Sequence, residues 1–342
     1  MDMVDVDTGA MERKEAAALR WKAPAAVVLV QLFMAGMILL SKVVIGDGMF
    51  IFALLAYRSF FGAVFILPFA LIFEREKWKE VDWRVCAWLF FNAFIGFAVP
   101  MSLYYYGLRD TTPSYAVIFL NITPLLTFFL SLVLRVESLQ FGTMAGSLKI
   151  ASVLLLVGGA MLINLYKGKK LHLWNSIMQH HKEEQIEVAK HQLRGSVFLV
   201  GSSFAFACWY LVQSKVLKVY PYKYWSSMAT CLLGGFQTGL VGIILRSDRS
   251  AWKLGWDLQL LTILYSGALA TAGRFTLNSW VVEKRGPAYP PMFNPLSVVF
   301  TVVLDSIFLG DEITVGSLLG TTTVIAGLYV FVWAKTKEIA KN

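Results

Sequence analysis

Residues 49–73 read MFIFALLAYRSFFGAVFILPFALIF, and the only formal charge in the stretch belongs to Arg58. At about 1.5 Å of rise per residue, roughly 20 mostly apolar residues cross a hydrocarbon core about 30 Å thick. The stretch therefore predicts a transmembrane helix. Working outward, further apolar blocks run over about residues 24–42, 85–107, 113–134, 143–165, 196–216, 226–245, 259–282, 292–310 and 315–334. The whole chain follows the same pattern: 342 residues, 57% hydrophobic and 15% charged, with a mean hydropathy of +0.61. Ordinary soluble proteins carry about 25% charged residues. The expected class is an all-α integral membrane protein of ten transmembrane helices.

The formal net charge is +9, but the Lys and Arg residues fall mainly between the blocks. There they serve as topology signals and contacts for anionic lipid, so no nucleic-acid partner is expected. Placing both termini in the cytosol puts Arg75, Lys77, Lys79 and Arg84, then Lys215, Lys218 and Lys223, then Lys284 and Arg285, on the cytosolic side. Cys86, Cys208 and Cys231 lie inside apolar blocks and read as small buried hydrophobes, not a disulfide or metal set. The four histidines, His172, His180, His181 and His191, all fall between blocks five and six. With no P-loop, metal-spaced His/Cys cluster or dinucleotide turn, no enzyme, cofactor or metal is expected. The acidic and basic residues mixed over the first twenty positions do not make a signal peptide.

The segmentation is an N-terminal tail (1–22), a first five-helix unit (23–166), a polar linker (167–194), a second unit (195–334) and a C-terminal tail (335–342). The units echo each other. Block four holds Asn121, Pro124 and Leu125, and Glu137 follows it. Block nine opens with Asn294, Pro295 and Leu296, and Glu312 follows it. An odd number of helices per unit forces inverted topology, which is characteristic of secondary transporters with a substrate site between the repeats. Proline is also simply common in membrane helices, so the echo has a plain structural reading beside the functional one.

Several stretches together resemble the plant UMAMIT family, also called walls-are-thin-related proteins, of the drug/metabolite transporter superfamily. They are Ala56-Tyr57-Arg58, Asn121-Ile122-Thr123-Pro124, Gly158-Gly159-Ala160, Gln213-Ser214-Lys215-Val216-Leu217, Tyr220-Pro221, Lys284-Arg285-Gly286-Pro287, Met292-Phe293-Asn294-Pro295-Leu296 and Gly327-Leu328-Tyr329. In order, they cover nearly the whole chain. The resemblance implies a ten-helix carrier of two inverted repeats. Members move amino acids, and some move auxin, at the plasma membrane or the vacuolar membrane.

A charge centred in the bilayer costs about 2.5–3.5 kcal/mol on insertion scales, so it faces a partner or a wet cavity. Four such residues stand out. Arg58 either holds a substrate carboxylate with its bidentate guanidinium or is a structural arginine. Arg274 and Asp305, on neighbouring antiparallel blocks, are about 6 Å apart in depth. They make either a site pair, with Asp305 as the proton-coupling residue, or a structural ion pair. Lys149 is expected to snorkel to the interface. Pro124 and Pro295, read as mid-helix prolines, would free backbone carbonyls toward a cavity. Asn121 and Asn294 beside them offer both donor and acceptor to a zwitterion, or else act as interhelical glue. Gln31 and Gln213 complete the candidate substrate-binding set. Asn92, Asn278, Trp209 and Trp280 are further polar or aromatic residues inside blocks, and the aromatics are expected in interfacial belts.

The expectation is a non-ATP carrier or facilitator of small organic solutes by alternating access, amino acids first. Auxin or another metabolite is the alternative cargo. A non-transporting receptor or scaffold would show binding without flux.

Overall fold

No water reaches the hydrocarbon core, so each apolar block must close its own backbone hydrogen bonds as a helix. The computed structural model describes residues 2–110, 119–136, 144–166, 170–171, 192–246, 248–255, 257–309 and 313–339. We number its helices α1 (Asp2–Gly46), α2 (Ile51–Phe73), α3 (residues 83–110), α4 (Thr123–Val133), α5 (Met144–Leu165), α6 (Gln192–Val219), α7 (Lys223–Leu245), α8 (Leu258–Arg285), α9 (Pro290–Phe308) and α10 (Val315–Ile339). Among the described residues nine helices are long and apolar enough to span a bilayer, and α4 is a shorter apolar one. The ten make an all-helical membrane fold of two five-helix repeats.

The helix pairing follows the repeat. α5 lies along α10 and α2 along α7, each helix against its counterpart. α3 packs on α6 as α8 packs on α1, and α4 on α6 as α9 on α1. One apolar core, with Val27, Leu156, Met292, Phe293, Val324 and Phe331, joins α1, α5, α9 and α10. A second, with Leu55, Phe97, Trp209, Cys231 and Phe275, joins α2, α3, α6, α7 and α8.

Small residues let the first pair close. A Cβ on Gly320 would lie 2.6 Å from the Gly159 carbonyl oxygen and 2.8 Å from the Ile163 nitrogen. Backbone cannot step aside as a side-chain tip can. Gly320→Ala is therefore expected to lower stability by about 1–3 kcal/mol, although alanine is ordinarily the better helix former. A fall in detergent-solubilised Tm checks it.

Among the described residues three helices contain π turns, in α3, in α8 and at the end of α9, where Asp305–Leu309 is π-helical. In α3, Phe94–Ala98 separates the α-helical stretches Trp83–Ala93 and Val99–Asp110. Pro100 explains it: proline has no N–H for the Gly96 carbonyl and its ring would crowd that oxygen, so the turn widens. In α8, Ser266–Gly273 is π-helical and rich in small residues. The π turns of α3 and α8 thus stand on corresponding helices of the two repeats. α8 ends at Gly286, whose φ of +89° suits glycine and whose N–H caps the Val282 carbonyl at 2.9 Å.

On the side of the α2–α3 and α6–α7 connections, Glu74 ends α2 and caps α7. Its carboxylate accepts from the backbone N–H groups of Tyr224 and Trp225 at 3.1 and 3.0 Å, and its carbonyl accepts from the Trp225 indole at 2.8 Å. Burial pushes the Glu74 carboxyl above its ordinary value, against those N–H groups and Lys223, which pull it down. Tyr220 Oη donates to the Lys77 carbonyl at 3.0 Å and Tyr222 Oη to Glu80 at 2.5 Å. Both contacts bind the two repeats at this face.

Several expectations change. Pro124 and Pro295 stand in the first turns of α-helical segments, after a turn at Asn121–Ile122 and a 3-10 turn at Pro290–Phe293. Proline's missing N–H is idle there, so these prolines start helices and the mid-helix account fails. Lys149 is 2% exposed, buried rather than snorkelling, because it lies on the packed face of α5. Trp209 is 1% exposed and is core, not belt. Cys86 is exposed near the start of α3, while Cys231 is buried. The expected linker lies mostly outside the described residues, as do all four of its histidines. Within it, Lys170 and Leu171 pair antiparallel with Thr314 and Ile313, a two-residue ladder in an otherwise helical fold.

Candidate substrate site

The second core becomes polar at its edges. Phe97 of the α3 π turn, Phe275 of α8 and Trp209 of α6 form a ring cluster, with centroids 6.4 Å apart for Phe97–Phe275 and 5.5 Å for Trp209–Phe275. An arginine lies at each end. The Arg58 guanidinium sits 5.5 Å from the Phe97 centroid, and its Nη1 donates to the Met37 thioether at 3.1 Å. The Arg274 guanidinium sits 5.4 Å from the Trp209 ring and 5.7 Å from Phe206. Phe206 and Trp209, three apart on α6, share a face. Stacking on desolvated rings contributes about 2 kcal/mol, which offsets much of the cost of a buried guanidinium.

Arg58 is buried and Arg274 half-buried. Among the described residues no carboxylate pairs with Arg274. The indole Nε1–H of Trp209 is buried and also without a hydrogen-bond acceptor. It packs on Gly96, where a Cβ would fall 2.4 Å from that nitrogen. Guanidinium and indole N–H together are donors awaiting an acceptor. The expected partner Asp305 begins a π-helical stretch, Asp305–Leu309, and its side chain lies outside the described residues.

The other candidates divide. Gln31 of α1 donates to the Asn294 side chain at 3.4 Å, which brings two of them together where α9 begins. Asn121 is buried at the turn before α4, beside Phe119, whose carbonyl accepts from Ser203 of α6 at 2.6 Å. Gln213 joins neither group. It lies one helical turn beyond Trp209 and bonds to Asn92 at 2.7 Å and to Ser279 at 2.7 Å. Asn92 also donates to Thr230 at 3.0 Å. Thr230 and Ser279 were not singled out in the sequence, where hydroxyl residues are common in membrane helices. The four-residue spacing of Trp209 and Gln213 was the available signal.

Ten membrane helices in two five-helix repeats, with two arginines and a cluster of aromatic rings packed between the repeats, have the architecture of a membrane transporter. A family model described as the EamA-like transporter family matches residues 21–165 and 193–333, one match for each repeat. WAT1-related protein At5g64700 of Arabidopsis thaliana is 33% identical over 321 residues, covering 91% of this chain and 89% of its own. WAT1-related protein At1g25270 of the same plant is 32% identical, covering 93% and 90%. A solved crystal structure at 16% identity superposes with a TM-score of 0.68 over 91% of this chain and 97% of that one; at that identity the likeness shows the fold alone. The chain belongs to the EamA-like transporter family and, within it, to the plant WAT1-related proteins. It is thus a membrane transporter of the drug/metabolite transporter superfamily.

Proposed function

We propose that this transporter is a secondary carrier of small carboxylate-bearing solutes, amino acids foremost, working by alternating access between its repeats. The observation that carries the reading is Arg274, a cation inside a membrane helix that rests on two ring faces with no carboxylate among the described residues. A substrate carboxylate would take the guanidinium and the neighbouring Trp209 N–H, both charge- or dipole-directed donors in low dielectric. Gln31, Asn294 and Asn121 supply acceptors for an ammonium group. Arg58, at the far end of the ring cluster, sets the positive field of the site. An aromatic carboxylate such as auxin is the second reading, favoured by the ring faces of Phe97, Phe275 and Trp209. Asp305 is the proposed proton-coupling residue.

We place both termini in the cytosol, on the Lys and Arg distribution, in either the plasma membrane or the vacuolar membrane. The test is efflux of a labelled amino-acid mixture, with auxin in parallel, from oocytes with confirmed surface expression, at two external pH values. Amino-acid efflux above controls is expected. Flux of auxin alone selects the second reading, and flux of neither overturns both.

A further inference from the structure

Beneath the ring cluster lies a layer made wholly of buried polar side chains. Asn92 of α3, Gln213 of α6, Thr230 and Ser227 of α7 and Ser279 of α8 are each at most 1% exposed. They join through Asn92–Gln213 (2.7 Å), Asn92–Thr230 (3.0 Å), Gln213–Ser279 (2.7 Å) and Ser227–Ser279 (3.3 Å). The direction from the rings to this layer is the same on every helix. Phe97 to Asn92 runs back toward the α2–α3 connection, while Trp209 to Gln213 and Phe275 to Ser279 run on toward the α6–α7 and α8–α9 connections. Four or five residues is about 6–7.5 Å of depth. Farther out on the same face stands the Glu74–Trp225 and Tyr220–Lys77 clamp.

We infer that the Asn92–Gln213–Ser279 bridge is the inner gate of the solute path on the side of the α2–α3 connection, closed in this structure. The inference rests on the carrier reading above. The bridge ties the first repeat, through Asn92, to three helices of the second, so the repeats cannot part on this side while it holds. It is also incompletely satisfied: the Asn92 Oδ1 is buried with no hydrogen-bond partner. A polar network short of an acceptor's partner is costly away from water. That cost falls when the gate opens and water or solute enters, so the bridge is built to be left as well as made.

Native Cys231 reports on the gate without any knowledge of the cargo. It follows Thr230 on α7, is fully buried, and belongs to the same core as Phe97, Trp209 and Phe275. With Cys86→Ala and Cys208→Ala as background, its reaction with a membrane-impermeant maleimide is followed in sealed vesicles of each orientation. The gate predicts slow labelling in the parent. It predicts about tenfold faster labelling in Asn92→Ala and Gln213→Ala, the weight of one or two lost hydrogen bonds, from the α2–α3 side alone. Ser279→Ala, which leaves both Asn92 bonds, to Gln213 and to Thr230, in place, gives a smaller change of the same sign and serves if the others fail to reach the membrane. Unchanged labelling, or labelling raised equally from both sides as general loosening would give, overturns the gate. Flux is measured separately: sided labelling with no flux keeps the gate and sinks the carrier reading, and flux with unsided labelling does the reverse.

Discussion

Arg274→Ala is expected to cut solute flux by about 10- to 100-fold while the protein still folds and reaches the membrane. The magnitude is that of a charge-assisted hydrogen bond pair lost to a carboxylate, about 1.5–3 kcal/mol. Folding should survive because the guanidinium is half-buried and makes no described ion pair whose loss would strand a partner. The loss should appear mainly in KM for solutes with a free carboxylate and be small for amide or ester analogues. Arg274→Lys should recover only part, since an ammonium neither stacks nor forks as a guanidinium does. Normal KM for carboxylate solutes in Arg274→Ala, at normal surface expression, would remove this residue from the site.

The second large effect is expected at a residue with no side chain. A Cβ on Gly96 would fall 2.3 Å from Trp209 Cδ1 and 2.4 Å from its Nε1, and the indole is fully buried against Tyr210 and Phe275. It cannot turn away within its rotamer, so Gly96→Ala pushes the platform beneath Arg274 out of place. Overpacking of this kind costs about 1–3 kcal/mol, and flux should fall at least tenfold. Trp209→Phe, a smaller ring, relieves the clash. The Gly96→Ala/Trp209→Phe double variant should therefore transport better than Gly96→Ala alone, a coupling that a double-mutant cycle measures. Strictly additive losses would show that the two residues do not meet.

Much of this architecture is legible in the sequence because a bilayer leaves so few choices. An apolar run such as 49–73 has to be a helix, and the echo of Asn121-Ile122-Thr123-Pro124 in Asn294-Pro295 marks where each repeat restarts a helix. Most of the failures share a cause: sequence gives depth along a helix but not its rotation. Trp209 looked like a belt residue and Lys149 a snorkelling one because depth alone suits both, yet each faces inward. Cys86 sits near the start of a helix whose outer face is exposed, so its apolar context misled. The prolines misled differently, because an apolar block does not reveal that its helix begins inside it. Arg274 was found because a charge in a membrane helix is conspicuous at any rotation. Thr230 and Ser279 were missed because hydroxyls are not, and their role appears only when four helices bring them to Asn92 and Gln213.

The central claim, solute carriage by alternating access, is tested most directly by counterflow in proteoliposomes of the purified protein. Vesicles loaded with labelled amino acid are diluted into buffer with or without the same unlabelled amino acid outside. A carrier that must reorient its site predicts that external solute accelerates release of the label, and that Arg274→Ala abolishes the acceleration. Release that is indifferent to external solute, or absent altogether from active vesicles of confirmed protein content, would contradict it.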